Sequence, residues 1–265
     1  YLAMPDPSNQ LMARYWLEIL YRTQGRFRAA LEQARLRYDL AKKQNSLEAM
    51  AVSQAQIAID LLHLGESARA RNESESAVEF ADKNNLLNPR LGVRIIKGWT
   101  AIAQQDYATA ERMADEYRKM VIAQTRPKKW VRYADALLGK IELERGNYIK
   151  AISVLEKARS LWHAQSSSVD NQSWPVYHLG LAHFRAGDMA EARKAFEIVT
   201  RMTVGRVSFG EQYAMSFYML GQVFEKTGDK TRAGENYRKF LDLWKDADPG
   251  RPEVEDARKR LAGLR

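Results

Sequence analysis

The stretch Leu138-Gly139-Lys140-Ile141-Glu142-Leu143-Glu144-Arg145-Gly146-Asn147-Tyr148-Ile149-Lys150-Ala151 decides the fold. Leu137, Leu138, Ile141 and Leu143 before Gly146, and Ala151, Ile152, Leu155 and Ala158 after it, place apolar residues at helical spacing on both sides. Gly146 ends the first helix because glycine enters the left-handed region without a Cβ penalty, and Asn147 is placed to cap the second. Two helices joined by so short a turn make a hairpin. The small residues Gly139 and Ala151, seven before and five after the anchor, mark where the two helix backbones approach. A bulky side chain there costs about 1–3 kcal/mol by overpacking.

The same turn recurs along the chain. With Gly25, Gly65, Gln105, Gly146, Gly187 and Gly228 as equivalent anchors, the steps are 40, 40, 41, 41 and 41 residues. Five residues after each anchor stands alanine: Ala30, Ala70, Ala110, Ala151, Ala192 and Ala233. Seven before it stand Gly98, Gly139, Gly180 and Gly221, with Ala58 in the second repeat and Glu18 departing in the first. No run alternates in the manner of a strand, so the expected fold is all-α. It is a right-handed α-α superhelix of six hairpins spanning 1–265 as one domain. Gln165–Ser173 and Thr203–Gly210 read as loops, the second with Val and Phe tucked inward. After the break at Asp246–Pro252, residues 253–264 form a closing helix with Val254, Ala257, Leu261 and Leu264 on one face.

Composition excludes several classes of function. The chain has 265 residues, 42 Lys plus Arg against 33 Asp plus Glu, and a net charge of +9. No cysteine is present, which removes disulfides, thiol nucleophiles and thiolate metal sites. No apolar run reaches the roughly 20 residues that cross a bilayer, so a soluble, cytoplasmic chain without membrane insertion is expected. Starting at Tyr1 rather than Met, it reads as a piece of a larger protein. No phosphate-binding glycine motif occurs. His178 and His183, five residues apart, point about 140° away from each other on a helix, which is no zinc pair. Acidic pairs such as Glu142 with Glu144 and Asp115 with Glu116 read as solvated helix residues. Neither catalysis, a metal nor a cofactor is expected.

Leu138-Gly139 with Gly146-Asn147-Tyr148-Ala151, Leu179-Gly180 with Gly187-Asp188-Ala192, and Leu220-Gly221 with Phe224 and Gly228-Asp229-Ala233 resemble the tetratricopeptide repeat family. The first three repeats are weaker: Glu18 and Ala58 replace the helical glycine, Ser67 the aromatic and Gln105 the turn glycine. The resemblance runs over about residues 10–245. The period exceeds the family's usual 34 residues, which implies longer helices or loops, as in a long-repeat bacterial branch. The ending from Phe240 through Leu261 also resembles the tail of large bacterial signalling proteins with an N-terminal serine/threonine kinase or winged-helix domain. The resemblance implies a protein-interaction or sensory module whose concave wall, lined by the first helix of each repeat, binds a peptide or a partner domain.

Counting back 6 and 10 residues from each anchor gives the expected lining: Ile19 and Tyr15, Ile59 and Ala55, Trp99 and Ile95, Lys140 and Ala136, Leu181 and Tyr177, Gln222 and Tyr218. Tyr133, Trp174, His178 and Arg185 are its neighbours. Aromatic rings with polar tips bring large contact area with few rotatable bonds. With Lys140 nearly alone among cations, an apolar peptide fits better than a C-terminal carboxylate. Two rivals stand beside this reading: a small-molecule effector sensor, and an anionic-surface or nucleic-acid binder. The latter would use Arg126, Lys128, Lys129 and Arg132, within residues 91–150 that hold 12 basic and 7 acidic side chains.

Overall fold

The computed structural model describes residues 7–126, 128–161, 173–202 and 209–264, without the side chains of Pro7, Ser8 and Lys128. Among the described residues there are thirteen α-helices, one short 3-10 helix at Lys128–Val131 and no strand. The helices are α1 Pro7–Thr23, α2 Phe27–Lys43, α3 Leu47–His63, α4 Ser67–Lys83, α5 Leu87–Ala103, α6 Tyr107–Ala123 and α7 Arg132–Glu144. They continue as α8 Tyr148–Ser160, α9 Ser173–Ala186, α10 Met189–Arg201, α11 Gly210–Lys226, α12 Lys230–Leu243 and α13 Pro252–Gly263. The chain forms the all-α hairpin-repeat fold expected of it. No described helix is long and apolar enough to cross a membrane.

The chain groups into two compact units, Tyr1–Tyr21 with Phe27–Ile141 and Arg22–Arg26 with Glu142–Arg265.

In the first unit the true period is half that of the anchors. Helices α1 to α6 each run 17 residues and are parted by three-residue turns. A left-handed residue closes every turn at a spacing of 20: Gly25, Asn45, Gly65, Asn85, Gln105 and Thr125, with φ from 50° to 78°. The break between hairpins is therefore the same device as the break within them. At the five turns after α2 to α6 the amide three residues past the helix end donates back across the turn. Examples are Ser46 to the Ala41 carbonyl at 2.9 Å, Glu66 to Leu61 at 2.9 Å and Asp106 to Ala101 at 2.9 Å. Asparagine tolerates this conformation better than most residues, but Gln105 and Thr125 occupy it at a cost. The residues beyond the usual repeat length are helix here.

In the second unit the hairpin turns are closed by left-handed Gly146, Gly187 and Gly228, at φ 82°, 87° and 83°, and Gly250 is left-handed before α13, at φ 75°. Helices α7 to α10 shorten to 13 or 14 residues. The expected loops 165–173 and 203–210 lie outside the described residues except for Ser173, Phe209 and Gly210, so the inward turn of the Val pair does too. Capping follows the sequence at Asp106, Asp188 and Asp229, whose carboxylates accept from the amides of Thr109, Glu191 and Arg232 at 2.9–3.1 Å. Asn147 departs: its amide donates to Glu142 Oε2 at 2.8 Å instead. Glu142 also pairs with Lys150 at 2.9 Å and is buried, not solvated as expected.

All six anchor alanines are fully buried, at 0% exposure. The repeated glycines do a different job from the one expected. A Cβ on Gly180 would come within 2.7 Å of the Phe196 ring, and one on Gly221 would collide with Tyr237. Both rings stand nine residues past the anchor on the second helix. The glycine is thus a socket for a partner ring rather than half of a small–small backbone contact. In the third repeat Ala114 takes that ring position, and Leu137 of α7 fills the socket of Gly98 instead.

Successive helices pack on one another, and first helices of neighbouring hairpins also meet, α3 with α5 and α9 with α11. The turn Arg22–Arg26 packs within the second unit: the Gly25 carbonyl accepts from the Asp248 amide at 3.1 Å, and a Cβ on Gly25 would lie 2.8 Å from the Trp244 indole.

Gln105→Gly should relieve the left-handed strain and raise stability by about 1 kcal/mol, whereas Gly221→Ala should lower it by about 1–3 kcal/mol through collision with Tyr237. Urea unfolding followed by helical circular dichroism reads both; no gain from Gln105→Gly would mean that the turn is unstrained.

Candidate partner-binding groove

The open apolar surface lies in the first unit, over the N-terminal halves of α1, α3 and α5. There a groove of about 580 Å³ is lined by Leu11, Met12 and Tyr15, by Val52, Ala55 and Gln56, and by Pro89, Gly92, Val93 and Ile96. That volume suits a small-molecule or short peptide ligand. The repeat builds it: thirteen residues before the anchor stand Met12, Val52 and Gly92, and ten before it stand Tyr15 and Ala55. Met12 and Val52 are 55% and 36% exposed, unusual for such side chains. A Cβ on Gly92 would meet nothing within 4 Å, so this glycine widens the groove rather than seating a ring.

Arg37 reaches the groove from α2, and Glu48, Ala49 and Asn88 complete the lining. Arg37 is buried with Glu18, the residue that replaces the small one in the first repeat. Its Nη1 lies 3.4 Å from Glu18 Oε2, its Nε donates to Ser53 Oγ at 2.8 Å, and its guanidinium stands 5.0 Å from the Tyr15 ring centroid. The departure from the repeat pattern is thus a buried charged pair that ties α1, α2 and α3 together and props the groove's aromatic residue.

The expected lining is placed as follows. Tyr15 and Ala55 face the groove. Nearer the turns on the same face, Ile19 and Ile59 are buried, and Trp99 packs against the cluster of Ala55, Ile59, Val93 and Ile96. Tyr133 lies against Tyr117 and Trp130, with centroids 6.2 and 5.9 Å away, and Lys140 is half-buried.

In the second unit Trp174, Tyr177 and His178 are buried, correcting their expected place on an open wall. Tyr177 packs on Phe196 at 5.7 Å, and His178 Nδ1 donates to the Trp174 carbonyl at 2.8 Å. Burial pushes the Tyr177 phenol well above its ordinary range. Arg185 is exposed and pairs with Glu144 at 3.3 Å, while Gln222 is half-buried.

Tyr218 belongs to a fastening that the sequence did not reveal. Its hydroxyl donates to Asp256 Oδ2 at 2.6 Å; Arg260 bridges Asp256 at 2.6 Å and Glu225 at 3.0 Å, and the Tyr237 hydroxyl donates to Glu225 at 2.7 Å. The network pins α13 onto α11 and α12. Its partners lie 35 and 38 residues apart, a spacing that no local pattern records. Burial raises the Asp256 pKa, but the hydrogen bonds from Tyr218 and Arg260 outweigh it and hold the carboxyl below its ordinary value.

Of the expected basic patch, Arg132 is withdrawn from the surface. Arg132 is buried at 1% exposure and lies over the Tyr133 ring. Arg126 donates to the amide oxygens of Gln124 and Asn88, both at 2.7 Å, beside the Trp130 ring. Lys129 is exposed, and the Lys128 side chain lies outside the described residues. Among the described residues no group of His, Asp and Glu is arranged to hold a metal ion.

Two outcomes follow from these contacts. Arg37→Ala removes a buried cation from beside buried Glu18 and should cost about 3–5 kcal/mol in thermal or urea unfolding, against a much smaller loss for the exposed Arg69→Ala. The Asp256 carboxyl has a lowered folded pKa, so its contribution is complete above the ordinary value of 3.8 and is lost as pH falls through the lower folded value. Melting curves taken across that acid window should fall more steeply for the native chain than for Asp256→Asn; parallel curves would remove Asp256 from the fastening.

Sequence profiles of the tetratricopeptide repeat match residues 177–252 and 91–116. No curated protein matches the chain. Among solved structures, a Rap protein complexed with Competence and Sporulation Factor is similar over 99% of this chain and 67% of its own, at 15% identity and a TM-score of 0.63. The apo form of RapI is similar over 96% of this chain and 87% of its own, at 13% identity and a TM-score of 0.59. A signal transduction ATPase with a tetratricopeptide repeat sensor, from Pyrococcus horikoshii, matches 99% of this chain and 40% of its own, at 16% identity and a TM-score of 0.50. Likeness at these identities establishes the fold alone. The hairpins, their left-handed turns and the buried alanines agree with the profile matches: residues 91–116 and 177–252 are tetratricopeptide repeats, and the chain has the fold of a tetratricopeptide repeat solenoid.

Proposed function

We propose that this chain is a non-catalytic interaction module that takes an apolar peptide or partner segment into the groove over α1, α3 and α5. The carrying observation is that groove itself, in which exposed Met12 and Val52, the propped Tyr15 and the open space beside Gly92 form one continuous apolar lining. A contiguous exposed apolar surface, unlike single exposed apolar side chains, tends to mark an interaction site. A Rap protein of the same fold is complexed with Competence and Sporulation Factor, and the Pyrococcus horikoshii ATPase carries its repeats as a sensor. Both lend support to a role in bacterial-type signalling, as the scaffolding or sensory part of a larger regulatory protein. The groove's volume also suits a small-molecule effector, which makes a sensor the second reading.

The rings of Tyr177 and Tyr218 are committed to packing and to the α13 fastening, so the test belongs in the first unit. Val52→Glu places a charge in the groove at an exposed position. It should leave the melting temperature within a few degrees of native while partner capture from the native source falls about tenfold or more, equivalent to roughly 1.4 kcal/mol. A partner retained equally by both proteins would remove the groove from the function.

A further inference from the structure

Apart from the groove, a second apolar face of the first unit lies in water. Trp16 and Leu20, one turn apart on α1, are 47% and 49% exposed, and neither lines the groove. They stand nine and five residues before the anchor Gly25, at positions that the repeat buries elsewhere. The counterparts of Leu20 are Asp60, Thr100, Ile141, Ala182 and Val223, all buried. Those of Trp16 are Ile96, Leu137, His178 and Met219, all buried, and Gln56, which is half-buried. Ala13, three residues before Trp16, is half-buried where its counterparts Ser53, Val93, Ala134 and Ser216 are buried.

In those hairpins the second helix of the preceding hairpin packs on the first helix, α2 on α3, α4 on α5, α8 on α9 and α10 on α11. Its contact face is small and aliphatic. Ser74 Oγ of α4 lies 2.8 Å from Thr100 Oγ1, and Ala77, Val78 and Ala81 of the same helix cluster with Ile96. Ala151 and Leu155 of α8 cluster with Ala182. On α1 the same face carries larger apolar side chains and no polar substitute for the missing cover.

We propose that this face of α1 docks an amphipathic helix of a partner protein, with alanine and leucine on its contact face, by the packing that the later hairpins use internally. Continuity with that packing specifies the occupant: the repeat sets Ile96 against alanine and Leu155 against alanine, so Trp16 calls for small residues opposite it. A second copy meets this requirement poorly. A two-fold pairing of α1 centred on the seam sets the Trp16 ring against its own copy, large against large. Stacking α13 of one copy on α1 of another would bring the exposed Glu255, Arg258 and Lys259 toward an apolar face.

A phage library that displays a single helix with one face randomised tests this without a known partner. The native chain should enrich helices with alanine and leucine on that face. Trp16 touches the groove ring Tyr15, with centroids 5.2 Å apart, so the exposed Leu20 carries the test. Leu20→Glu, with native helicity and melting temperature, should bind the enriched helix about tenfold more weakly or worse. Val52→Glu, which charges the groove, should bind it as the native chain does. A helix lost with Val52→Glu and kept by Leu20→Glu would overturn the assignment to this face and return the helix to the groove. No helix enriched by the native chain over Leu20→Glu would overturn the proposal and leave the groove reading standing. A dimer in sedimentation that Leu20→Glu dissolves would overturn it in favour of a second copy. Trp16 shielded from a tryptophan-directed reagent in the partner-free protein from its native source would show its own polypeptide covering the face, and would overturn docking in trans.

Discussion

The left-handed residue at the end of each helix is the constraint on which the rest depends. Helix propensity alone gives no reason for α1 to α6 to stop after 17 residues. What stops them is one residue with positive φ, after which the chain's next amide reaches back to the last turn and satisfies a carbonyl that would otherwise be left without a partner. Because that turn is only three residues long, each helix must return antiparallel and close against its predecessor. The buried alanines after Gly25, Gly65 and Gln105 and those after Gly146, Gly187 and Gly228 are consequences of that closeness.

Within this frame the two units meet the packing problem differently. The first repeats one turn geometry every 20 residues and fills its hairpins largely with alanine and medium aliphatic residues, as in the cluster of Ala51, Ala55, Ala58, Ala77 and Ala81. Its helices leave a trough between them. The second fills its hairpins with rings: Phe196 into the socket of Gly180, Tyr237 into that of Gly221, and Trp244 fully buried beside Phe240. Large rings close its hairpins, and the aromatic residues that looked like a recognition wall are consumed in doing so. The open apolar surface is consequently on the unit with the smaller side chains.

The most informative position is one where the repeat fails. Glu18 occupies a place that is glycine or alanine in the other repeats, and the buried carboxylate there is paired with Arg37, which Ser53 holds in turn. Such a pair is weak evidence for stability, since desolvation offsets much of the attraction. Its evident product is orientation: Arg37 lies against Tyr15 and holds that ring at the groove. Local departures from an otherwise consistent pattern tend to mark sites of function.

The sequence by itself determined the hairpin class, the anchors, the buried alanines, the three aspartate caps and the closing helix, because each is written in neighbours a few residues apart. Helical periodicity is local, and so is the demand for glycine at positive φ. The half-period was harder to see, since Asn45, Asn85 and Thr125 accept the left-handed conformation without being glycine. Only the tertiary structure decided which aromatic residues were open. Tyr15 and Tyr177 hold the same place in their repeats, yet one lines a groove and the other is buried, because exposure is set by what the neighbouring hairpin presents. The same holds for Arg132, which is basic in sequence and core in space, and for Tyr218, whose partner Asp256 lies 38 residues away. Burial and pairing are properties of packing between distant segments, and a repeat pattern, identical from unit to unit, carries no record of them.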